Sequence, residues 1–223
     1  MIEPVIIGTG SSGNATLLGG ILLDCGMPYR AISPYIKQIR IVCLTHIHGD
    51  HLKKSAIRRI HEERPTVRFL CGEFLCGVLR HDCGIPAELI DIASPGSVYG
   101  YGIAEIEPIE LVHNVPNIGY KLHLSDGTRA IYATDTCSLD GIAAKYYDYY
   151  FIEANHTEAE IHERIKAKES VGEYAYEYQA AQNHLSREKA DEWLYANAGM
   201  HSLIYYMHEH NTKNQENEHG NTK

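Results

Sequence analysis

Short apolar runs, each bounded by glycine, proline or polar residues, recur along the chain and are typical of buried strands. They cover residues 4–8, 15–18, 21–24, 39–44, 67–70, 149–153 and 203–207, and further strands are predicted between residues 89 and 132. Asp126 and Gly127 predict a hairpin within that region, because an Asp-Gly pair readily takes the positive φ of a tight turn. Strands are therefore expected along most of the chain.

Segments with helical spacing separate these runs. Leu52, Ala56, Ile57 and Ile60 recur at the intervals of one helix face, with basic residues on the opposite face. Helices are also predicted over residues 73–80, over the charged segment 158–182, and from an N-cap at Ser186 onward. This alternation indicates an α/β protein. A length of 223 residues suits one domain, expected over residues 1–208, with a polar, disordered tail at 209–223.

Composition narrows the class of protein. Apolar residues make up 44% of the chain and charged residues 22%, as in ordinary globular proteins. No apolar run is long enough to cross a membrane, and the first ten residues lack the basic region of a signal peptide, so we expect a cytoplasmic protein. The cysteines lie mostly in apolar runs, as reduced core residues do. For Cys71, Cys76 and Cys83 the alternative is a peripheral zinc site.

The net charge of −9 opposes the binding of nucleic acid over a broad basic face. A local basic cluster nevertheless lies around the helix predicted after residue 51. Its members are Lys53, Lys54, Arg58, Arg59, Arg64 and Arg68. The cluster has two interpretations, a solvated helix face or a surface that guides phosphate. Residues 8–13 also have two, a loop whose amides bind phosphate or a tight turn before a strand.

The strongest candidate for chemistry is the sequence HIHGDH, which begins at His46 directly after a predicted strand. Alternation along the strand end places His46 and His48 on one side, and a turn at Gly49 brings Asp50 and His51 toward a neighbouring point. Imidazole and carboxylate suit a borderline divalent ion such as zinc. Because these polar groups are costly to bury without an ion, the segment predicts a metal site.

Three further candidate ligands follow the ends of other predicted strands: His113, Asp135 and His208. If the four ligands of the first segment are shared between two adjacent ions, each ion needs more ligands, and these residues supply them. The expected arrangement has His46, His48 and His113 on one ion, Asp50, His51 and His208 on the other, and Asp135 between them.

The HIHGDH segment resembles the HxHxDH signature of the metallo-β-lactamase superfamily, and the three later candidates fall where its later ligands fall. Asp24 is similar to an early aspartate of that family, which supports the metal-binding loop. The resemblance implies an α/β fold, an αββα sandwich of two mixed β-sheets flanked by helices. It also implies two divalent metal ions, for which the donors favour zinc, with manganese or iron as alternatives.

Two finer resemblances concern the substrate. Residues 10–15, 113–120 and 183–186 are similar to the YycJ (also called WalJ) branch of bacterial DNA exonucleases. Glu153 and His184, followed by His208, resemble a ribonuclease Z pattern in which a carboxylate-supported histidine precedes the last ligand. The chain lacks the Ser and Arg of the ribonuclease Z ending and its tRNA-gripping arm. The resemblance therefore implies a nucleic-acid substrate, DNA in preference to RNA.

The expected function is the cleavage of phosphodiester bonds, most specifically as a DNA exonuclease. Two ions roughly 3.5–4 Å apart lower the pKa of a shared water, and the bridging hydroxide attacks phosphorus, with Asp50 able to orient it. His184 is the candidate general acid and Glu153 holds its ring. Alternatively, His184 only caps the helix that begins near Ser186. Two other hypotheses are a thioesterase or lactonase of the same fold and a metal-stabilised binding protein without turnover.

Overall fold

The computed structural model describes residues 2–174 and 177–208, and within them the strands form two six-stranded sheets. The strands of the first sheet neighbour one another in chain order. They are β1 (Val5–Gly8), β2 (Ala15–Leu18), β3 (Ile21–Leu23), β4 (Ile41–Leu44), β5 (Arg68–Cys71) and β6 (Ile90–Ile92). β1, β2 and β3 pair antiparallel, whereas β3 to β6 pair parallel, so this sheet is mixed.

The second sheet is mixed as well. It contains β7 (Tyr99–Gly100), β8 (Ala104–Leu111), β9 (Asn117–Leu124), β10 (Arg129–Ala133), β11 (Tyr149–Glu153) and β12 (Leu203–Met207), again with chain neighbours paired. Pairing is antiparallel from β7 to β10 and parallel from β10 to β12. As a result β8, β10, β11 and β12 run in one direction, and their carboxyl ends share one edge of the sheet.

The inner faces of the two sheets pack against each other. Ile41 and Leu70 of the first sheet share a buried cluster with Tyr120, Tyr132 and Phe151 of the second. The outer faces are also covered, because other side chains of the same strands pack on helices. A strand buried on both faces has no polar alternation, which explains why these strands appear in the sequence as continuous apolar runs.

Helices cover both outer faces. α1 (Tyr29–Ile32), α2 (Lys54–Glu63) and α3 (Glu73–Gly77) pack on the first sheet. α6 (Arg187–Asn197) packs on the second sheet through Ala190 and Leu194. α4 (Glu158–Ser170) and α5 (Glu177–Asn183) share a small apolar cluster of their own. The layers therefore follow the order helix, sheet, sheet, helix, which is the predicted fold class.

The segment 158–182, predicted to be helical, contains two helices separated by a break. α4 begins with a capping box between Thr157 and Glu160, but it ends at Ser170. Gly172 then takes a φ of 72°, a left-handed conformation that glycine adopts without strain and that stops a helix. The charged composition on both sides of this glycine suits a helix, so the break is local. The sequence analysis also did not predict the single turn of α1.

The structure also bears on the predictions for the cysteines and the basic cluster. Cys71 and Cys83 lie in the core and Cys76 packs against it. Four of the six residues of the basic cluster bind a nearby group: Lys54 binds Asp82, Arg59 binds Glu62 and Glu63, Arg64 binds the carbonyl of Ile36, and Arg68 binds Asp91. The predicted tail at residues 209–223 lies outside the described residues.

Across residues 2–174 and 177–208, no helix combines the length and apolar character needed to cross a membrane.

Candidate metal centre

The seven predicted ligands lie together where the carboxyl ends of strands from both sheets meet. The HIHGDH loop follows β4, and His113, Asp135 and His208 follow β8, β10 and β12. Their donor atoms form two groups, within each of which every donor lies within 4.8 Å of the others. The first group is His46, His48 and His113, and the second is Asp50, His51, Asp135 and His208. The tertiary structure thus brings together every residue that the strand-end rule selected.

The first group has the spacing of ligands around one ion. His48 Nδ1 lies 3.0 Å from His46 Nε2 and 3.4 Å from His113 Nε2. For a tetrahedral ion with bonds of 2.0–2.1 Å, neighbouring donor atoms lie about 3.3 Å apart. Three imidazole nitrogens therefore surround a point at which a single cation fits.

The second group has similar spacing around a second point. Asp50 Oδ2 lies 3.6 Å from His51 Nε2 and 3.5 Å from His208 Nε2. Asp135 Oδ2 connects the two groups, because it lies 2.6 Å from His51 Nε2 and 3.2 Å from His46 Nε2. This is the place that the sequence analysis assigned to a ligand between two ions.

The hydrogen bonding of Asp135 tests whether cations fit. Asp135 is 1% exposed, and its Oδ1 accepts no hydrogen bond from the described residues, although His208 Nδ1 is 3.0 Å away. A buried carboxylate oxygen without a donor is costly. A cation bound by this carboxylate supplies the missing partner, and with Oδ2 between the two groups the imidazole and carboxylate donors fit a pair of divalent ions.

The pKa values of the buried candidate ligands also favour a metal site. Burial, reinforced by the nearby charge of His51, lowers the pKa of His46 to about 2, which keeps His46 in the neutral form that binds metal. Burial also opposes charge on His51, but the carboxylates of Asp24 and Asp135 outweigh it and raise the His51 pKa to about 10. Burial opposes the charge of Asp135 as well, yet the neighbouring imidazoles of His208 and His51 hold its pKa well below its usual range. The carboxylates therefore favour positive charge at this buried site.

Asp24 supports the HIHGDH loop through its hydrogen bonds. Its Oδ1 accepts hydrogen bonds from the Thr45 amide and hydroxyl, both at 2.9 Å. Its Oδ2 accepts from His51 Nδ1 at 2.7 Å and from the Tyr132 hydroxyl at 3.0 Å. With Nδ1 occupied, His51 presents Nε2 to the centre. These contacts match the supporting role that the resemblance implied for Asp24.

Asn14 is a part of the centre that the sequence analysis missed. Its side chain is fully buried, and its Nδ2 lies 2.7 Å from His51 Nε2. Its Oδ1 accepts a hydrogen bond from the Gly10 amide, and the Gly13 amide donates to the Gly10 carbonyl. These amides are bonded inside the turn, so the tight-turn interpretation of residues 8–13 agrees with the structure. No pattern in the sequence indicated a contact between residues 37 positions apart.

Two other supports were also missed. His113 Nδ1 donates to the carbonyl of Asn183, the last residue of α5, at 3.2 Å. The Asn155 side chain donates to the carbonyl of His208 at 3.1 Å. In both cases the acceptor is a backbone carbonyl, which every residue carries, and the sequence therefore offers no signal for the contact.

His184 and Glu153 form a pair at the edge of the centre. His184 Nδ1 lies 2.5 Å from Glu153 Oε1 and 3.5 Å from Asp135 Oδ1. Glu153 is fully buried, and its Oε2 accepts a hydrogen bond from the Thr136 amide at 2.6 Å. The cap of α6 is made by Ser186, whose hydroxyl accepts from the Lys189 amide. The structure therefore gives the capping role to Ser186, and the donor atoms of His184 and Glu153 form a third group, within 4.8 Å of one another, with those of Asp135 and His208.

The sequence of the chain matches a known protein family. A family model described as a beta-lactamase superfamily domain matches residues 20–194. No curated protein sequence matches the chain.

Among solved structures, the metallo-beta-lactamase fold protein YhfI from Bacillus subtilis is similar with a TM-score of 0.69 and 15% identity, over 93% of this chain and 86% of that one. The short form of human tRNase Z (ELAC1) has a TM-score of 0.68 and 14% identity, over 94% of this chain and 92% of that one. A diphosphatase from the PhnP family has a TM-score of 0.62 and 15% identity, over 94% and 87%. At such identities these likenesses show the fold alone, and they confirm the predicted sandwich.

Proposed function

Because the chain belongs to the beta-lactamase superfamily, we propose that it is a hydrolase that uses two divalent metal ions to cleave phosphodiester bonds. The observation that carries the choice of bond is the pair of Glu153 and His184 beside the ligand groups. Two of the similar structures, a tRNase Z and a diphosphatase, are named for substrates that contain phosphorus, which supports the same choice.

The proposed ligands are those of the two groups: His46, His48 and His113 for one ion, Asp50, His51 and His208 for the other, and Asp135 for both. When bound, two divalent cations supply Lewis-acid activation of water and positive charge for the phosphate. Imidazole and carboxylate donors favour zinc, while manganese and iron accept the same donors. This local charge explains how a protein with a net charge of −9 attracts an anionic substrate to one place.

The chain's own residues have distinct tasks in this reaction. Asp50, whose side chain is 24% exposed, accepts a hydrogen bond from the attacking water and so orients it. Glu153 holds the Nδ1–H of His184, which leaves Nε2 as the atom that carries a proton to the departing alkoxide. An alkoxide requires such a proton, whereas the thiolate released from a thioester does not. The pair is therefore expected in a phosphodiesterase and is superfluous in a thioesterase.

For the substrate, we propose DNA and an exonuclease mode, on the similarity of three segments to the YycJ branch. RNA with the same backbone chemistry is the nearest competitor. The cytoplasmic location predicted from composition belongs to the same proposal.

A single set of assays tests the proposed function. The protein is loaded with zinc or manganese, its metal content is measured, and it is then given end-labelled single- and double-stranded DNA, RNA of the same sequence, and a thioester. We expect about two ions per chain and release of labelled nucleotides from DNA ends. Thioester turnover without phosphodiester cleavage identifies an acyl hydrolase instead, and binding of nucleic acid without any turnover identifies a binding protein. His201→Ala, a change at an exposed histidine outside the centre, is the matched control.

A further inference from the structure

A groove of about 860 Å³ opens directly beside the candidate metal centre. Its walls are the beginning of α3, the loop after β6 and the loop between β8 and β9, and His113 is one of its lining residues. This volume lies in the range of pockets that hold small ligands. A group attached to a phosphate at the metal centre can therefore enter the groove without crossing any other part of the surface.

The walls are apolar and carry one aromatic side chain. Phe74, Ile92 and Val112 line the groove and are 37%, 50% and 55% exposed. The Phe74 ring is folded over Gly72, since a Cβ on residue 72 would lie 2.2 Å from Phe74 Cε1. Gly72 has a φ of −60°, so it is required for space and not for its conformation. The absence of a side chain at residue 72 thus lets the ring lie close to the backbone there, at the wall of the groove.

The polar side chains of the groove include acceptors and, at Ser94 and Asn114, groups that can also donate a hydrogen bond. Within the described chain the lining contains the carboxylates of Glu73 and Glu110 and no lysine or arginine. The lining also includes Asn117, whose side chain is buried and whose Oδ1 accepts no hydrogen bond from a described residue. An acceptor left without a donor is costly. The groove therefore suits a ligand with an aromatic face, hydrogen-bonding edges and no negative charge.

We propose that this groove binds the nucleoside attached to the scissile phosphate, with its base against Phe74 and its donors toward the acceptors of the lining. The inference rests on the proposed phosphodiesterase function and adds the identity of the neighbouring group. A second phosphate beyond that nucleoside would meet Glu73 and Glu110 without any cation, and like charges repel. The groove therefore selects a nucleoside at the end of a chain or in a small nucleotide ester, and it disfavours the interior of a strand.

Binding of adenosine tests the groove independently of turnover. Saturation-transfer NMR and calorimetry on the metal-loaded protein should show that adenosine binds. The affinity for ribose 5-phosphate should be the same in wild type and in Phe74→Ala. Loss of an aromatic stacking partner weakens binding roughly 5- to 150-fold, and we expect this for Phe74→Ala. Phe74→Trp should retain affinity, and Gly72→Ala, which displaces the ring without removing it, should lose part of it. Tyr195→Ala, at a tyrosine that is 95% exposed and outside the groove, is the control.

Kinetics then link the groove to the reaction. The substrates are thymidine 5′-(p-nitrophenyl phosphate), its 3′-phosphorylated form, and methyl p-nitrophenyl phosphate. Phe74→Ala should lower kcat/KM for the first roughly 5- to 150-fold and leave the methyl ester unchanged. Glu110→Gln should raise kcat/KM for the 3′-phosphorylated substrate relative to kcat/KM for the unphosphorylated one.

The outcomes separate the two proposals. Equal adenosine binding by wild type and Phe74→Ala, or none by either, overturns the inference even if phosphodiesters are cleaved. Adenosine binding that requires Phe74, in a protein that hydrolyses no phosphodiester, instead overturns the proposed function and leaves a nucleoside-binding groove. A wild-type enzyme that prefers the 3′-phosphorylated substrate contradicts the selection against a second phosphate.

Discussion

The two sheets contribute to the metal centre in opposite ways. The first sheet supplies four candidate ligands from one loop, the HIHGDH segment after β4, within six residues of chain. The second sheet supplies one residue at a time, from the ends of β8, β10 and β12, and those residues lie far apart in the sequence. The loop therefore depends mainly on local geometry and on Asp24, whereas the second set depends on strand register across the whole sheet.

This difference implies that substitutions in the two sets have different effects on metal binding. A candidate ligand of the loop would serve mainly one ion, because the loop divides its donors between two groups. Asp135, from the second sheet, stands between both groups and connects them. Four experiments test this difference.

The largest effect is expected from Asp135→Asn compared with His48→Ala. Residue 135 has a φ of 55°, which asparagine tolerates, so the first change removes the charge and keeps the backbone. We expect Asp135→Asn to bind less than one ion per chain and to lose more activity than the roughly 10- to 100-fold typical of supporting residues. His48→Ala should keep the ion of the second group. Metal analysis after dialysis measures both, and two ions in Asp135→Asn would contradict the connecting role.

His184→Ala comes next in size. We expect it to keep both ions and to lower kcat roughly 100- to 10,000-fold, as the loss of a general acid does. The loss should be larger for a substrate with an alkoxide leaving group than for one that releases p-nitrophenolate, which needs no proton. Glu153→Gln should give a weaker form of the same change. Metal analysis accompanies the kinetics, because depletion of the ions in His184→Ala would make His184 a ligand and refute its assignment as proton donor.

Asp24→Asn should have an intermediate effect, confined to affinity for the metal. The change weakens the acceptor of His51 Nδ1, and such outer carboxylates contribute roughly 10- to 100-fold to metal affinity. Competition with a chromophoric chelator measures the dissociation constants. Asp82→Asn, which removes a surface carboxylate paired with Lys54, is the matched control and should leave affinity unchanged. Equal affinities in Asp24→Asn and wild type would show that the loop holds its geometry without this support.

The smallest effect concerns Arg68 and Asp91, which join β5 to β6 within the first sheet. The hydrogen bond from Arg68 holds the pKa of Asp91 below its ordinary value of 3.8. Because this carboxylate has a depressed pKa in the folded state, the pair stabilises the protein above pH 3.8 and ceases to do so as the pH falls through the folded pKa. The side chains are 40% and 22% exposed, which limits the contribution to about 0.2–1 kcal/mol.

Urea unfolding of metal-free wild type and Arg68→Leu measures this contribution. The difference in the free energy of unfolding should be present at neutral pH and vanish in acid, with metal content unchanged in the reloaded variant. A difference that grows as the pH falls would have the wrong sign for this pair.

Patterns along the chain were sufficient to predict the positions of most strands, the cap of α6 at Ser186 and the seven candidate ligands. These features depend on neighbours in the chain: apolar runs between turn residues, a hydroxyl before a helix, and polar residues directly after a strand. The helix break at Gly172 was also present in the sequence, and it was overlooked because helix-forming residues surround it.

Other contacts join distant parts of the chain and could be recognised only in the folded protein. Asn14 beside His51 and the carbonyl of Asn183 beside His113 are two of them. The contact between His184 and Glu153, by contrast, was expected from the resemblance to ribonuclease Z. The groove at Phe74 is likewise built from three separate segments. Such contacts depend on strand register and on the packing of loops, and a short stretch of sequence carries no signal for either. Local chemistry therefore selected the candidate ligands, and the packed fold determines how they are oriented and what lies next to them.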